Sequence, residues 1–331
     1  MIVKLSNKQQ IPFLVNKLKQ TKFDYIYLSD KQEFVIPKLN DKSFLNEFSN
    51  SISEIIEIET HFQLSSNKYK KQTCININGS EISNDGFSVI AGPCSIETEE
   101  QIFSTAEYVS SKGLKFLRGG AYKPRTSPYS FRGLGLDGLK LIKEAATLHG
   151  LNVVTELMDL SLLDEVLEYS DIIQIGSRNM SNFFMLSELG KIKKPILLKR
   201  GMQAKTNEWL LAADYILSNG NEEVILCERG IRSFDPQTRN VFDVNVIPLI
   251  QSLSHLPIIA DPSHGTGEAK FVYPISLAAV AAGANGLMIE IHPQPKTALS
   301  DSNQALTFSE FDTLLSSIQI VRESIVNLAI K

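Results

Sequence analysis

The chain is poor in cysteine, in early arginine and in long apolar runs, and each shortage excludes something. Three cysteines in 331 residues cannot supply a disulfide framework, so a reducing cytoplasm is the expected compartment. No stretch approaches the roughly 20 apolar residues that span a bilayer. The opening MIVKLSNKQQ has no apolar core and no small-residue cleavage site, so no secretory signal is expected. No Cys-x-x-Cys pair is present, which argues against a structural zinc knuckle. A net charge of -4 argues against bulk nucleic-acid or membrane-surface binding. Hydrophobic residues make up 43% and charged residues 21%, enough for a sizeable core and too apolar for disorder.

What is present begins with the distribution of cations. Lysine outnumbers arginine by 24 to 9, and no arginine precedes Arg118. Seven of the nine then fall at Arg118, Arg125, Arg132, Arg178, Arg200, Arg229 and Arg232. The planar guanidinium captures phosphate and carboxylate in a bidentate way that an ammonium cannot. Concentrated arginine in an acidic chain therefore reads as a local anion site.

From about residue 86 the chain alternates short apolar runs with helical patterns. The runs are FSVIAG (87–92), KFLRGG (115–120), NVVTEL (152–157), IIQIGS (172–177), PILLKR (195–200), EVILCE (223–228), PIIADP (257–262) and GLMIEI (286–291). Short, doubly apolar runs bounded by Gly, Pro or charge are the signature of strands buried on both faces of a parallel sheet. The intervening helices include 98–113, opened by a Thr-x-x-Gln capping box, 138–150 and 207–220, each closed by glycine. Eight such units over about 245 residues predict a (β/α)8 barrel. A doubly wound open sheet is disfavoured because no Gly-x-Gly-x-x-Gly follows the first strand.

Residues 1–66 have another rhythm, read as βαββαβ, a small ferredoxin-like module with a second helix over DKSFLNEFSNS (41–51). HFQLSSNKYKKQ (61–72) reads as a linker. ININGSEISNDG (75–86) reads as a hairpin capping either the entrance or the floor of the barrel. The expected division is thus 1–66, a connecting stretch 67–85, and the barrel 86–331.

Barrel enzymes carry their chemistry at the C-terminal strand ends. Here those ends hold Cys94, Arg118 with Lys123, Glu156 with Asp159, Arg178, Lys199 with Arg200, Glu228 with Arg229, Asp261 with His264, and Glu290 with His292 and Asp301. Cys94, His264, Glu290 and Asp301 come from strands one, seven and eight, which are neighbours once a barrel closes. One thiol, one imidazole and two carboxylates suit Mn2+, Fe2+, Co2+ or Zn2+ without selecting among them. Cys74 and Cys227 lack this context and read as structural. The cations across the mouth exceed what one monoanion needs, so a substrate set with at least two anionic groups is expected. A Lewis acid beside such a pocket points to carbonyl chemistry on phosphorylated substrates.

Seven strings then match one family in order: GPCSIE (92–97), KPRTSPYSFRG (123–133), IGSRN (175–179), LLKRGM (197–202), ILCERGIR (225–232), DPSHGTG (261–267) and EIHPQP (290–295). Over about residues 68–325 the chain resembles the 3-deoxy-D-arabino-heptulosonate 7-phosphate (DAHP) synthases, of the type I beta-like kind. The resemblance implies condensation of phosphoenolpyruvate with D-erythrose 4-phosphate and water, the first step of the shikimate route. It implies one divalent metal on Cys94, His264, Glu290 and Asp301. Arg118, Lys123, Arg178, Lys199 and Arg229 match positions that hold phosphoenolpyruvate, Glu228 beside them is expected to bind substrate, and Pro124, Arg125, Thr126 and Ser127 match the segment that grips the aldose phosphate. Glu156 and Asp261 match acidic positions near the reacting centre, and Lys123 is placed to protonate the new alkoxide. A homotetramer is implied, as is an N-terminal module that binds tyrosine or phenylalanine as effector. The alternatives are 3-deoxy-D-manno-octulosonate 8-phosphate synthase, with arabinose 5-phosphate as acceptor, and a non-catalytic effector-binding barrel.

Overall fold

The computed structural model describes residues 1–37, 43–123, 127 and 129–329. The sequence motif Pro124-Arg125-Thr126 lies outside them.

The N-terminal module contains strands β1 (Ile2–Leu5), β2 (Ile26–Leu28), β3 (Glu33–Val35) and β4 (Ile52–Ile56), with helix α1 (Ile11–Gln20) between the first two. The strand order is β2-β3-β1-β4, and every pairing is antiparallel. This is the order that the βαββαβ reading requires. The second helical crossover is a 3-10 segment over Ser43–Ser51 rather than an α-helix. Its apolar residues Phe44, Leu45 and Phe48 pack with Leu14 and Leu18 of α1 against Val3, Leu5 and Phe34. The opposite sheet face turns Ile2 and Val35 into the main core of the barrel.

The stretch read as a linker is packed instead. Phe62 and Leu64 are buried in the main core. The barrel helix Thr206–Leu217 supplies Asp214, whose carboxylate accepts the backbone N–H groups of Gln63 at 2.6 Å, Leu64 at 3.2 Å and Ser65 at 2.7 Å. Buried backbone donors need such partners, and here one side chain satisfies three.

Strands β5 (Cys74–Ile77) and β6 (Ser80–Ser83) form the expected hairpin. Asn78 and Gly79 both take positive φ, 49° and 82°, the turn chemistry of a two-residue loop. Ile75, Ile77 and Ile82 plug the barrel interior against Ile90, Phe116, Val154, Ile172, Leu197, Ile225, Ile259 and Met288. Asn78 Nδ2 donates to Asn152 Oδ1 at 2.9 Å and Ser88 Oγ donates to the Glu81 carbonyl at 3.0 Å. Both partners lie where barrel strands begin, so the hairpin closes the floor.

The barrel strands are β7 (Ser88–Gly92), β8 (Phe116–Arg118), β9 (Asn152–Glu156), β10 (Ile172–Ile175), β11 (Ile196–Lys199), β12 (Val224–Glu228), β13 (Ile258–Ala260) and β14 (Gly286–Glu290). They form a closed parallel barrel, with β14 pairing β7 through Glu290 opposite Gly92. The outer layer comprises α2 (Glu99–Ser111), α3 (Leu136–His149), α4 (Leu163–Tyr169), α5 (Phe183–Leu189), α6 (Thr206–Leu217), α7 (Val246–Leu253), the short α8 (Pro262–Thr266), α9 (Ala269–Ala281) and α10 (Phe308–Ala329). At α2 the Thr98 hydroxyl accepts from Gln101 N, but Gln101 Oε1 reaches the Glu97 N–H instead of closing a box on Thr98. Among the described residues no helix is long and apolar enough to cross a membrane.

Candidate functional site

The C-terminal strand ends converge as the sequence pattern requires. Cys94 follows β7, and Glu290 ends the adjacent β14. The loop beyond β14 brings Asp301 back in a left-handed backbone conformation, φ 48°. A non-glycine residue held there is strained, and such positions cluster at functional sites. Ligand atoms of Cys94, Glu290 and Asp301 all lie within 4.8 Å of one another, with Cys94 Sγ 3.4 Å from Asp301 Oδ2. His264, on α8, aims Nε2 at Glu290 Oε1 (3.3 Å) and Asp301 Oδ2 (3.8 Å).

Asp261 fixes that imidazole. It caps α8, with Oδ1 accepting the His264 backbone N–H at 2.9 Å and Oδ2 lying 2.7 Å from Nδ1. Lys199, at the end of β11, donates to the same Oδ2. A ring nitrogen tied to a carboxylate leaves the other nitrogen as the coordinating one. Burial alone pushes the Asp261 and Glu290 carboxyls up, but His264 with Lys199, and His264 with Arg118, outweigh it and hold both below the usual range. Asp301 is likewise held down, at about 2, burial being overcome by His264 and Arg239. Burial pushes the His264 imidazole below its ordinary value, with Asp261 and Glu290 pulling the other way. Burial, then Glu290, push the Cys94 thiol up to about 12. A thiol, a neutral imidazole and two anionic carboxylates around one point fit a borderline divalent cation, which would also release the thiol proton.

Beside this cluster opens a cavity of about 390 Å3. Among the described residues, Lys123, Arg178, Lys199, Arg229 and Arg239 bring five cations to its wall, faced by Glu156, His264 and Asp301. Lys123 Nζ donates to the Cys94 carbonyl at 3.1 Å. Burial lowers its ammonium, but Cys94 and Glu156 outweigh that and the net shift is upward. Two glycines make room. A Cβ on Gly120 would stand 2.8 Å from Lys123 Cδ, and one on Gly176 would stand 2.0 Å from Glu156 Oε1. Ser127 and Ser130 line the mouth.

Four residues that the sequence singled out have other surroundings. Arg118 is 3% exposed and is not a wall residue; Nη1 donates to Glu290 at 2.7 Å and to the Pro93 carbonyl at 2.9 Å, while Nε is buried with no partner among the described residues. Glu228 is fully buried and turns from the cavity to Arg200 Nη1 (3.0 Å) and the Gly230 N–H (2.6 Å). Arg200 pairs with it and with Asp243, so it braces the wall instead of facing the substrate space. Arg232 borders a neighbouring cavity with Met180 and Phe183.

Two residues escaped the sequence reading. Arg239 lies in the long loop between β12 and α7, beyond the strand end proper. Its Nη1 donates to Gln304 Oε1 at 2.8 Å and lies 3.6 Å from Asp301. Gln304 is 2% exposed, and its Nε2 donates to Glu290 Oε2 at 2.6 Å and Asp301 Oδ2 at 3.4 Å. Loop length after a barrel strand was the available signal for Arg239; an isolated buried Gln carries none.

Residues 62–327, bearing both the cluster and the cavity, match the DAHP synthetase I family. The chain belongs to that family. It is 46% identical over 275 residues to a phospho-2-dehydro-3-deoxyheptonate aldolase of Thermotoga maritima, covering 83% of this chain and 81% of the relative. A crystal structure of the Thermotoga maritima aldolase, titled a DAHP synthase, aligns with a TM-score of 0.80 at 40% identity over 98% of this chain and 97% of that one. A truncated form of the Thermotoga maritima synthase aligns over 80% of this chain, with TM-score 0.75 and 44% identity. A 2-dehydro-3-deoxyphosphooctonate aldolase of Acidithiobacillus ferrooxidans is more distant, at 29% over 259 residues, covering 73% of this chain and 91% of the relative. Within the DAHP synthetase I family, then, the chain stands nearer to the seven-carbon synthase than to the eight-carbon one.

Proposed function

We propose that this chain condenses phosphoenolpyruvate with D-erythrose 4-phosphate and water to give DAHP and inorganic phosphate, the first step of the shikimate pathway. The observation that carries the reading is the cavity, walled by five cations among the described residues, that opens directly onto Cys94, Glu290 and Asp301 with the His264 imidazole beside them. Two phosphates and a carboxylate need that much positive charge, and fixed cations in a recessed site stabilise developing anions strongly.

Arg178, Lys199 and Arg229 hold the phosphate and carboxylate of phosphoenolpyruvate, with Arg118 and its unpartnered Nε beneath them. Pro124, Arg125, Thr126 and Ser127 take the aldose phosphate. Cys94, His264, Glu290 and Asp301 hold one divalent metal, Mn2+, Fe2+, Co2+ or Zn2+, which when bound polarises the aldehyde oxygen as a Lewis acid. C3 of phosphoenolpyruvate bonds to the aldehyde carbon, and the carbonyl oxygen takes a proton from the Lys123 ammonium. Water adds to C2 and gives a proton to Glu156, the carboxylate on the cavity wall. The C2 hydroxyl then returns its proton to the Lys123 amine as the C2–O bond to phosphate breaks, and the leaving phosphate takes the proton from Glu156, giving the C2 ketone and inorganic phosphate with both side chains restored. Asp261 keeps the His264 imidazole oriented. We place the enzyme in the cytoplasm as a homotetramer, its N-terminal module binding tyrosine or phenylalanine.

Phosphate release is the test, measured with erythrose 4-phosphate or arabinose 5-phosphate, after EDTA and after adding back Mn2+. Erythrose-dependent, EDTA-sensitive turnover is expected. Turnover only with arabinose 5-phosphate would overturn the acceptor assignment, and EDTA-insensitive turnover would overturn the metal. Repeating the assay with tyrosine or phenylalanine tests the effector, and absence of inhibition by both would remove it.

A further inference from the structure

Two loops at the mouth, after β7 and after β14, meet at Glu97, a residue that does not line the substrate cavity. Its Oε1 accepts the Ser95 hydroxyl at 3.1 Å and the Leu299 backbone N–H at 2.9 Å. Ser95 is the residue after Cys94, and Leu299 lies two residues before Asp301. One carboxylate oxygen therefore ties together the two chain segments that carry the cluster's thiol and its loop carboxylate. The other oxygen, Oε2, lies 3.6 Å from His292 Nε2, on the loop leaving β14. Both side chains are only 7% exposed.

The surroundings fix the orientation of this carboxylate. His292 Nδ1 accepts the Gln294 N–H at 3.0 Å, so the ring proton sits on Nε2 and faces Glu97. Among the described residues that Nε2 has no hydrogen-bond partner, and Glu97 is the carboxylate it faces. Gln101 closes the near side, donating to the Ser95 carbonyl at 3.0 Å and accepting the Glu97 N–H at 3.1 Å. The Glu97 carboxylate cannot rotate without giving up bonds that the Cys94 and Asp301 segments use.

We infer that Glu97 is a positioning residue: it sets the separation of Cys94 and Asp301 by bridging Ser95 and Leu299, and so tunes affinity for the divalent cation. The inference rests on the metal reading above. It assigns Glu97 no contact with the ion or the substrates. Partners of this outer kind typically contribute about 10- to 100-fold to metal affinity.

The test is Co2+ titration of the full-length protein, read by the near-ultraviolet thiolate-to-cobalt absorption band and by calorimetric Kd. Wild type is expected to show the band, and C94A to lose it. E97A should weaken Kd about 10- to 100-fold with the band diminished. E97Q, whose amide oxygen can still accept from Ser95 and Leu299 while its NH2 would face the His292 Nε2–H, should weaken Kd by less than E97A does. S95A removes one arm of the bridge while leaving a small buried methyl, and should weaken Kd by an intermediate factor; it keeps the test open if E97A fails to fold. An E97A or S95A Kd equal to wild type would overturn the positioning role, as would E97Q falling as far as E97A. Absence of the band in wild type would instead overturn the metal reading, and this inference with it.

Discussion

Gly176, directly after β10, allows Glu156 to be moved without being removed. A Cβ there would lie 2.0 Å from Glu156 Oε1 and 3.0 Å from its Cδ. An ordinary contact needs about 3.5 Å, so in G176A the carboxylate must retreat by about 1.5 Å. The clash is with the tip of a flexible side chain, and the Gly176 backbone is not in a left-handed conformation. Fold stability should therefore change by about 1 kcal/mol or less, the reduced entropy of the unfolded chain offsetting part of the crowding. Misplacing a catalytic group by about 1 Å can lose about 100-fold in rate. We therefore expect kcat to fall about 100-fold with a melting temperature within a few degrees of wild type. Steady-state kinetics on both substrates with a parallel thermal melt measures both quantities. E156Q should fall in the same direction. If G176A turned over at the wild-type rate, the position of the Glu156 carboxylate would be immaterial and its role as proton acceptor would have to be abandoned.

Metal affinity should rise about tenfold per pH unit between pH 7 and 9, because the metal takes the thiolate while burial holds the Cys94 thiol up at about 12. His264, held below its ordinary value, is already neutral there and adds no slope; calorimetric Kd values that stay flat with pH would rule out thiolate ligation. Asp214→Ala should leave three backbone donors at 63–65 unpaired, each worth about 1–3 kcal/mol if buried. Limited proteolysis should then cut within 57–73 while barrel turnover persists, and a wild-type digestion pattern would show that Asp214 does not anchor this segment.

The barrel was legible because doubly buried parallel strands leave little choice of residue. Eight apolar runs bounded by Gly, Pro or charge became eight strands. The floor hairpin was legible from Asn78-Gly79, since two consecutive positive-φ positions admit few residues. Its side of the barrel was not, because both ends of a barrel accept an apolar plug. The 61–72 stretch misled for a related reason. Its Ser, Asn and Lys residues resemble a solvated tether, yet Phe62 and Leu64 anchor it and Asp214, about 150 residues away in sequence, satisfies its backbone. The second crossover of the N-terminal module was read as helical, and its Phe44, Leu45 and Phe48 do face the core, but as a 3-10 segment. Periodicities of 3.0 and 3.6 are hard to separate over nine residues.

At the site, legibility followed chemistry. A glutamate ending an apolar strand is a costly choice, so Glu290 stood out alone, while Cys94, His264 and Asp301 joined it only because strands one, seven and eight are neighbours once the barrel closes. Strand-end position served less well for Glu228. It sits at the end of β12 beside Arg229, yet alternate residues of a strand face opposite ways. Arg229 therefore reaches the cavity while Glu228 turns to Arg200. Gln304 was invisible because amides are common and its value lies in distance: one Nε2 within reach of both Glu290 and Asp301. Arg239 shows the same limit for cations. Its guanidinium joins the cavity wall through a loop whose path the sequence does not encode locally, and there it is linked to the carboxylates of the cluster through Gln304. Ligands that must be a particular element are thus readable from residue type. The groups that orient them can be many residues, so they emerge only once the chain has brought distant loops together.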